Sequence, residues 1–536
     1  MFKALKAALP AALTCCALSA SADEYKRELL VPGSNFHGVH GITEGPDGQL
    51  YVGSVVGAAT YSVAPESGAV ATHIPAPMGM ADDLEFGPDG SLAYTAYLAG
   101  MLHLRRPDGT IDTVATGLPG LNSLAWTSEG RLFATQVFLG DALYEIDPTG
   151  AQAPRKIMEG MGGLNGFDFG PDGRLYGPLW FKGQVVAVDV DAATLEVVAD
   201  GFKIPAAANF DSKGNLYVVD TALGQVLRVD VSTGDKTLVA EVPNAIDNLA
   251  LTKDDRLFIT NMADNGVYEI DTETGGVRTL TEGELSMPGG LALWSDDGTD
   301  TLYVADLFAY RGVNPGTGAV TDFLRMQADT LEYPFNVRAS ENHVILTSWF
   351  TGTVQKVDRA TGQSEAMWHG FAAPHDALEL PDGSVVVAEL ALGQLTRATG
   401  EGEDERTAIA TGLAGPLGLA PAGDDAVYLT EIAGVLSRID LATGEKTVIA
   451  TGLALPEGLD VTPDGMIVLA EAALQQVVKI DPTTGDKTVI ASELPIGLPG
   501  LEGLPPSYIP TGIAAGSDGA IYVSSDLENA IYKLTP

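Results

Sequence analysis

The chain has 536 residues, 45% of them hydrophobic, enough to fill two full cores and too apolar for a disordered protein. Its formal net charge of −41 at pH 7 repels nucleic acid and anionic lipid and attracts cations. Cys15 and Cys16 are the only cysteines, so nothing beyond the N-terminus can form a disulfide, a thiolate ligand or a cysteine nucleophile.

Residues 1–22 carry Lys3 and Lys6, a short apolar run and Ala20-Ser21-Ala22. That order reads as an export signal cleaved after Ala22. A second reading takes Leu13-Thr14-Cys15-Cys16 as a lipoprotein box with Cys16 lipidated. No later run reaches the roughly 18 apolar residues of a spanning helix. The mature protein is therefore expected to be a soluble monomer in the periplasm or outside the cell, with no transmembrane segment and no nucleic-acid partner.

From Gly45 onward one unit recurs about every 42 residues, a period that belongs to propellers and solenoids. Its best copy is Leu164 to Asp189, LNGFDFGPDGRLYGPLWFKGQVVAVD. FDF, RLYG and QVVAVD read as strands, and Pro171-Asp172-Gly173 as a turn. Related turns stand at 45–48, 87–90, 127–130, 211–214 and 252–255. Six more follow, at 295–298, 341–343, 381–383, 423–425, 463–465 and 517–519. A fourth strand follows a D-x-x-T-G turn beginning at Asp230, Asp271, Asp358, Asp440 or Asp481, where the aspartate is an Asx-turn former. Four antiparallel strands per repeat make a propeller blade whose first strand lines the channel.

Twelve repeats predict an all-β chain of two six-bladed β-propellers in tandem, residues 23–272 and 273–536; a single ring of twelve satisfies the same strand count but exceeds the usual four to eight blades. The strand at 24–31 is expected to close blade six, which frees 276–281 to complete blade twelve, so that no sheet edge stays open.

The residue entering each inner strand opens on one face of the channel. In the first ring these positions are His40, Asp82, Asn122, Asn165, Ala206 and Asp247, with Asp83, Ser123 and Asn248 beside them. In the second they are Gly289, Phe335, His375, Leu417, Glu457 and Thr511, with Asn336 and Asp376 as neighbours. Carboxylates and amide carbonyls are hard oxygen ligands suited to a divalent metal, Ca²⁺ above Mg²⁺ or Mn²⁺. The same residues also cap local backbone N–H groups, an alternative that needs no ligand. The loops after the second strands, on the same face, carry Tyr97, Phe138, Trp180, Phe181, Trp349 and Phe350. They form either an aromatic pocket rim or a surface on which the two propellers or a partner dock. Asp220, Asn261, Glu389, Glu431 and Glu471 end second strands there and are read as turn residues. No G-x-S-x-G, H-E-x-x-H, Walker A or dinucleotide glycine pattern is present.

LNGFDFGPDGRLY and IDNLALTKDDRLF resemble motifs of the senescence marker protein/gluconolactonase family and its relatives the paraoxonases. The resemblance implies a divalent metal at the channel mouth and hydrolysis of lactones or esters. Asn165 matches the N-G ligand, Asp247-Asn248 the D-N or D-G ligand, and Asn122 the other Asn; His40 in VHGIT resembles the paraoxonase histidine. No Glu occupies the first slot, and Ala206 stands where an acid is expected. The reading is an exported hydrolase with His40 as general base and Asp82, Asn122, Asn165 and Asp247 around the metal. Asp83, Asn248, His375 and Glu457 are secondary candidates. The alternative is a non-catalytic propeller binding a sugar, a peptide or an envelope protein.

Overall fold

Each repeat begins at a turn whose chemistry is local. Gly173 sits at φ +80°, in the left-handed region open to glycine, and its N–H donates to the Gly170 carbonyl at 2.9 Å. The D-x-x-T-G aspartates act as Asx-turn formers: Asp230 Oδ1 accepts the Ser232 N–H at 2.8 Å, and Asp481 Oδ1 the Thr483 N–H at 2.7 Å. Between turns the runs are β-branched and aromatic, and fold as antiparallel strands.

The computed structural model describes residues 25–296, 298–501 and 504–536. The expected export signal, with Cys15 and Cys16, lies outside the described residues. The described chain is all-β, with 48 strands and two single-turn 3₁₀ helices. The strands form twelve four-stranded antiparallel sheets, each a propeller blade. No helix among the described residues is long and apolar enough to cross a membrane.

Inner strands of successive sheets lie side by side. The first, Ile42–Glu44, touches both Leu84–Phe86 of the second sheet and Ile246–Leu251 of the sixth. The seventh, Pro288–Asp296, likewise touches Asn336–Ala339 of the eighth sheet and Ile513–Ala515 of the twelfth. Apolar side chains interleave between neighbouring sheets, as where Tyr176 and Val185 of the fourth meet Ala208 and Val218 of the fifth. Each such buried Val or Leu contributes about 1.5–3 kcal/mol relative to exposure.

The closing strands differ from expectation. Lys26–Val31 pairs antiparallel with Ala530–Thr535, Lys26 opposite Thr535, and completes the twelfth sheet. Val277–Thr281 stays in the sixth sheet, Val277 opposite Ile270. The physical reason is locality. The sixth repeat already makes its own fourth strand through a short turn, while the last repeat supplies three and leaves the one unfilled edge. The second set of six sheets is thus discontinuous in sequence, with the first set inserted between Val31 and Pro288.

The two sets share a core and a polar seam. Ala245, Met262 and Ala263 of the first pack with Met287, Phe308, Phe335 and Tyr508 of the second. Arg325 Nη1 meets Asp264 Oδ1 at 2.7 Å and its Nη2 donates to the Asn244 carbonyl at 2.8 Å. Arg311, buried, joins Asp306 to the Ala263 carbonyl. The Tyr508 hydroxyl donates to the Val56 carbonyl at 3.0 Å. An interface polar at its rim and apolar at its centre holds the sets in one orientation.

Candidate functional site

A hydroxyl on the second strand of one sheet fixes the entry residue of the next. Thr95 donates to the Asn122 carbonyl, and Thr260 of the sixth sheet donates to the His40 carbonyl at 2.5 Å. Thr347 holds the His375 carbonyl at 3.2 Å and Thr430 the Glu457 carbonyl at 2.9 Å. Strand-end carboxylates clamp the preceding loop: Asp220 accepts the Lys203 and Ile204 N–H groups, and Glu389 accepts that of Ala372. This is the turn role read from the sequence.

His40, Asp82, Asn122, Asn165 and Asp247 all line one cavity of about 790 Å³, part of it open to solvent. Tyr97, Phe138, Trp180, Trp349 and Phe350 form its walls, whereas Phe181 lies outside, edge-on to Phe138 at 5.5 Å. The cavity lies between the two sets, because Phe308, Tyr333, Phe335 and Tyr508 also line it. Both sequence readings of the aromatic face therefore meet at one place.

On the floor, His40 Nδ1 lies 3.0 Å from Asp247 Oδ2 and 3.7 Å from Asp82 Oδ1, with side-chain exposures of 12%, 18% and 13%. Burial alone would lower the His40 pKa; the hydrogen bond to Asp247, its charge and that of Asp82 outweigh burial and raise it. Burial also pushes the Asp82 carboxyl up, against the pull of His40 and with the push of Asp247 and Asp83. Phe308 packs edge-on to the His40 ring at 5.6 Å. Gly38 makes room for it: a Cβ there would come within 2.9 Å of the Phe308 ring, and φ is +76°. Ser123 Oγ lies 2.8 Å from both Asn122 Oδ1 and Asn165 Oδ1. Asn165 Oδ1 also accepts the Gly166 N–H at 3.0 Å, so when the single Ser123 proton turns to Asn165 it is the Asn122 oxygen that is left available.

The secondary candidates are elsewhere. Asp83 and Asn248 lie one layer deeper, lining the channel below, and Asn248 Nδ2 donates to Asp83 Oδ1 at 3.1 Å. His375 and Glu457 are buried in the second set: His375 Nε2 donates to the Ser507 carbonyl at 2.8 Å, and Glu457 Oε2 accepts the Thr511 N–H at 2.6 Å. Neither lines the cavity. Ala206 leaves a gap in the ring of polar entry residues and packs in a core cluster.

The donor chemistry fits a hard cation: an uncommitted Asp247 oxygen, Asp82 with no Lys or Arg beside it, and the Asn carbonyls. Among the described residues no three His, Cys, Asp or Glu side chains gather as a metal group. The amide oxygens would have to complete any shell.

Sequence reasoning did not place Tyr333 or Tyr508 at the site. Both lie in connections between sheets, 326–335 and 492–512, outside the repeat. Phe335 was assigned to the second channel and instead walls the shared cavity.

No family model and no curated protein matches the chain. Among solved structures it is similar to virginiamycin B lyase from Staphylococcus aureus, at 16% identity over 62% of this chain and 94% of that one, TM-score 0.30. The extracellular domain of a provisionally described one-component system from B. thetaiotaomicron matches at 11% identity over 93% and 76%, TM-score 0.32. A protein provisionally described as a gluconolactonase matches at 14% identity over 49% and 95%, TM-score 0.39. The lyase and the gluconolactonase are β-propeller proteins; at these values the likeness carries no argument about chemistry.

Proposed function

We propose that the chain is an exported tandem of two six-bladed propellers, and that the first ring carries a site for hydrolysis of a lactone or ester. The ring assignment is supported by the contact of the first inner strand with the sixth and of the seventh with the twelfth. The function rests on one observation: five polar entry residues from five blades, including a His40–Asp247 pair, line a single aromatic-walled cavity.

Asp247 holds His40 through Nδ1 and leaves Nε2 to take a proton from water. The neutral imidazole is the working form. With no cation on Asp82 and Asp247, these carboxylates raise the His40 pKa, so in EDTA the imidazole is expected to titrate above pH 6.5. The aromatic walls exclude bulk water and accept an apolar acyl or aryl body. Asp82, Asn122, Asn165 and Asp247 would hold a divalent cation, best Ca²⁺, which when bound polarises an ester carbonyl and acidifies water.

The experiment is turnover of a lactone and aryl-ester panel with added Ca²⁺, Mn²⁺ or Zn²⁺, for wild type and His40→Gln. Metal-stimulated turnover lost in His40→Gln supports the reading. No turnover of any member refutes it and leaves a binding propeller for a sugar or peptide ligand.

A further inference from the structure

Water adding to a carbonyl places negative charge on the carbonyl oxygen, and a site must supply donors there. Beyond any cation that Asp82 and Asp247 would hold, the floor itself brings only those two carboxylates, and no lysine or arginine lies in the lining. Apart from the amides of Asn122, Asn165 and Gln327, its uncommitted hydroxyl donors are two phenols. Tyr97 follows the second strand of the second blade, and Tyr333 reaches in from the second ring. Neither hydroxyl has a hydrogen-bond partner among the described residues. Tyr508, in the same wall, spends its hydroxyl on the Val56 carbonyl. Tyr97 is buried and Tyr333 half-buried, both line the cavity, and neither hydroxyl is sealed from it, so two donors left open toward one cavity are placed to meet a ligand oxygen.

Tyr333 is also held with care. Its backbone lies at φ +37°, unusual for a residue with a side chain. Its ring packs edge-on to Phe350 at 5.4 Å and to Phe308 at 6.2 Å, and Phe308 in turn packs on His40. Burial first, then Asp82 and Asp247, raise the Tyr333 pKa; burial, then Asp82 and Tyr333, raise that of Tyr97. Both phenols stay protonated donors across the working range, and each lies within electrostatic reach of Asp82.

We propose that Tyr333, contributed by the second ring, is a catalytic residue of the first ring's site, and that with Tyr97 it donates hydrogen bonds to the oxygen that becomes negative during hydrolysis. The assignment rests on the hydrolase reading above. The water oxygen bonds to the carbonyl carbon as its proton passes to His40 Nε2, and the C=O pair moves onto the oxygen facing the phenols. On collapse the C–O bond to the leaving alcohol breaks, and the alkoxide takes the proton back from His40.

The test has two readouts. In Tyr333→Phe and Tyr97→Phe, kcat is expected to fall about 100-fold with KM nearly unchanged, while Tyr144→Phe, whose hydroxyl bonds Gln136 away from the cavity, leaves both alone. Binding of N-phenyl-δ-valerolactam, followed by tryptophan fluorescence, should weaken about 10-fold in Tyr333→Phe, and binding of carbonyl-free N-phenylpiperidine should not. Unchanged kcat and lactam affinity overturn the proposal, as does equal weakening of both probes, which would make Tyr333 a packing residue. Tyr333-dependent lactam binding in a protein that hydrolyses nothing overturns the hydrolase reading and keeps Tyr333 as a carbonyl donor. If wild type neither turns over esters nor binds the lactam, both fail.

Discussion

The two channels carry buried charge in opposite ways. In the second, the Arg338 guanidinium fills the space: Nε and Nη2 reach Asp376 Oδ2 at 2.9 and 2.7 Å, Nη1 donates to the Leu459 carbonyl at 3.0 Å, and Asp460 faces it. In the first, the matching layers hold Asp83, Glu85 and Asp168, and no lysine or arginine lines the channel. Burial pushes Asp83 up to about 7 and raises Glu85 and Asp168 as well, Glu85 further through Asp168. A buried carboxylate is tolerable beside a guanidinium and costly alone. In the second channel the guanidinium therefore offsets one of two facing carboxylates, whereas the first channel's carboxyls have no cationic side chain and rest on backbone N–H groups and the Asn248 amide.

The strongest challenge to that contrast is catalytic. His40→Ala is expected to lower kcat by about 10²–10⁴-fold, and His375→Ala, buried on the Ser507 carbonyl, to leave kcat within about twofold. Comparable losses in both would erase the distinction between the mouths. Next, Arg338→Met strands Asp376 and Asp460 and should destabilise the second ring by about 3–5 kcal/mol in denaturant melts; a neutral result would mean the channel has another source of compensation. A smaller effect concerns the metal. Excess Ca²⁺ at 100 times its Kd should stabilise the protein by about 2.7 kcal/mol, a shift lost in Asp247→Ala and kept in Glu457→Ala. The reverse pattern would move the cation to the second mouth.

The smallest effect sharpens the comparison by pH. Asp83 and Glu85 have folded pKa values raised above the unfolded ones, so the stability contribution of each is full below about pH 4 and is lost as pH rises through its folded pKa, which for Asp83 is about 7. In EDTA, Glu85→Gln should match wild type at pH 4 and exceed it by about 1–2 kcal/mol at pH 8. A gain of equal size at both pH values would show that packing, not charge, is responsible.

The blades were legible because Pro-Asp-Gly and D-x-x-T-G turns are local chemistry, complete within four or five residues. The entry residues followed from that register, which is why His40, Asp82, Asn122, Asn165 and Asp247 share a cavity. Ring closure was misread because EYKRELLV and GGVRTLT are both plausible outer strands, and only the unfilled edge beside Ala530–Thr535 decides between them. The roof of the site was hidden for a different reason. How the two sets of sheets pack together depends on Arg311, Arg325 and Asn265, whose partners are distant carbonyls and carboxylates with no sequence signature. Tyr333 enters the cavity only through that packing.

The pairing of Lys26–Val31 with Ala530–Thr535 sets an order of events during synthesis. The first set of six sheets, contiguous from Ile42 to Thr281, has all its strands once its own segment has emerged, and can form while the rest is still being made. The second cannot. Its opening strand must remain unpaired, with an exposed row of N–H and C=O groups, until the final residues arrive about 500 positions later. For that interval the protein is a finished module tethered to an unfinished one. Slowed elongation near the end of the message should lengthen the period in which the waiting edge is open to other chains, and a holdase that masks extended segments would act there.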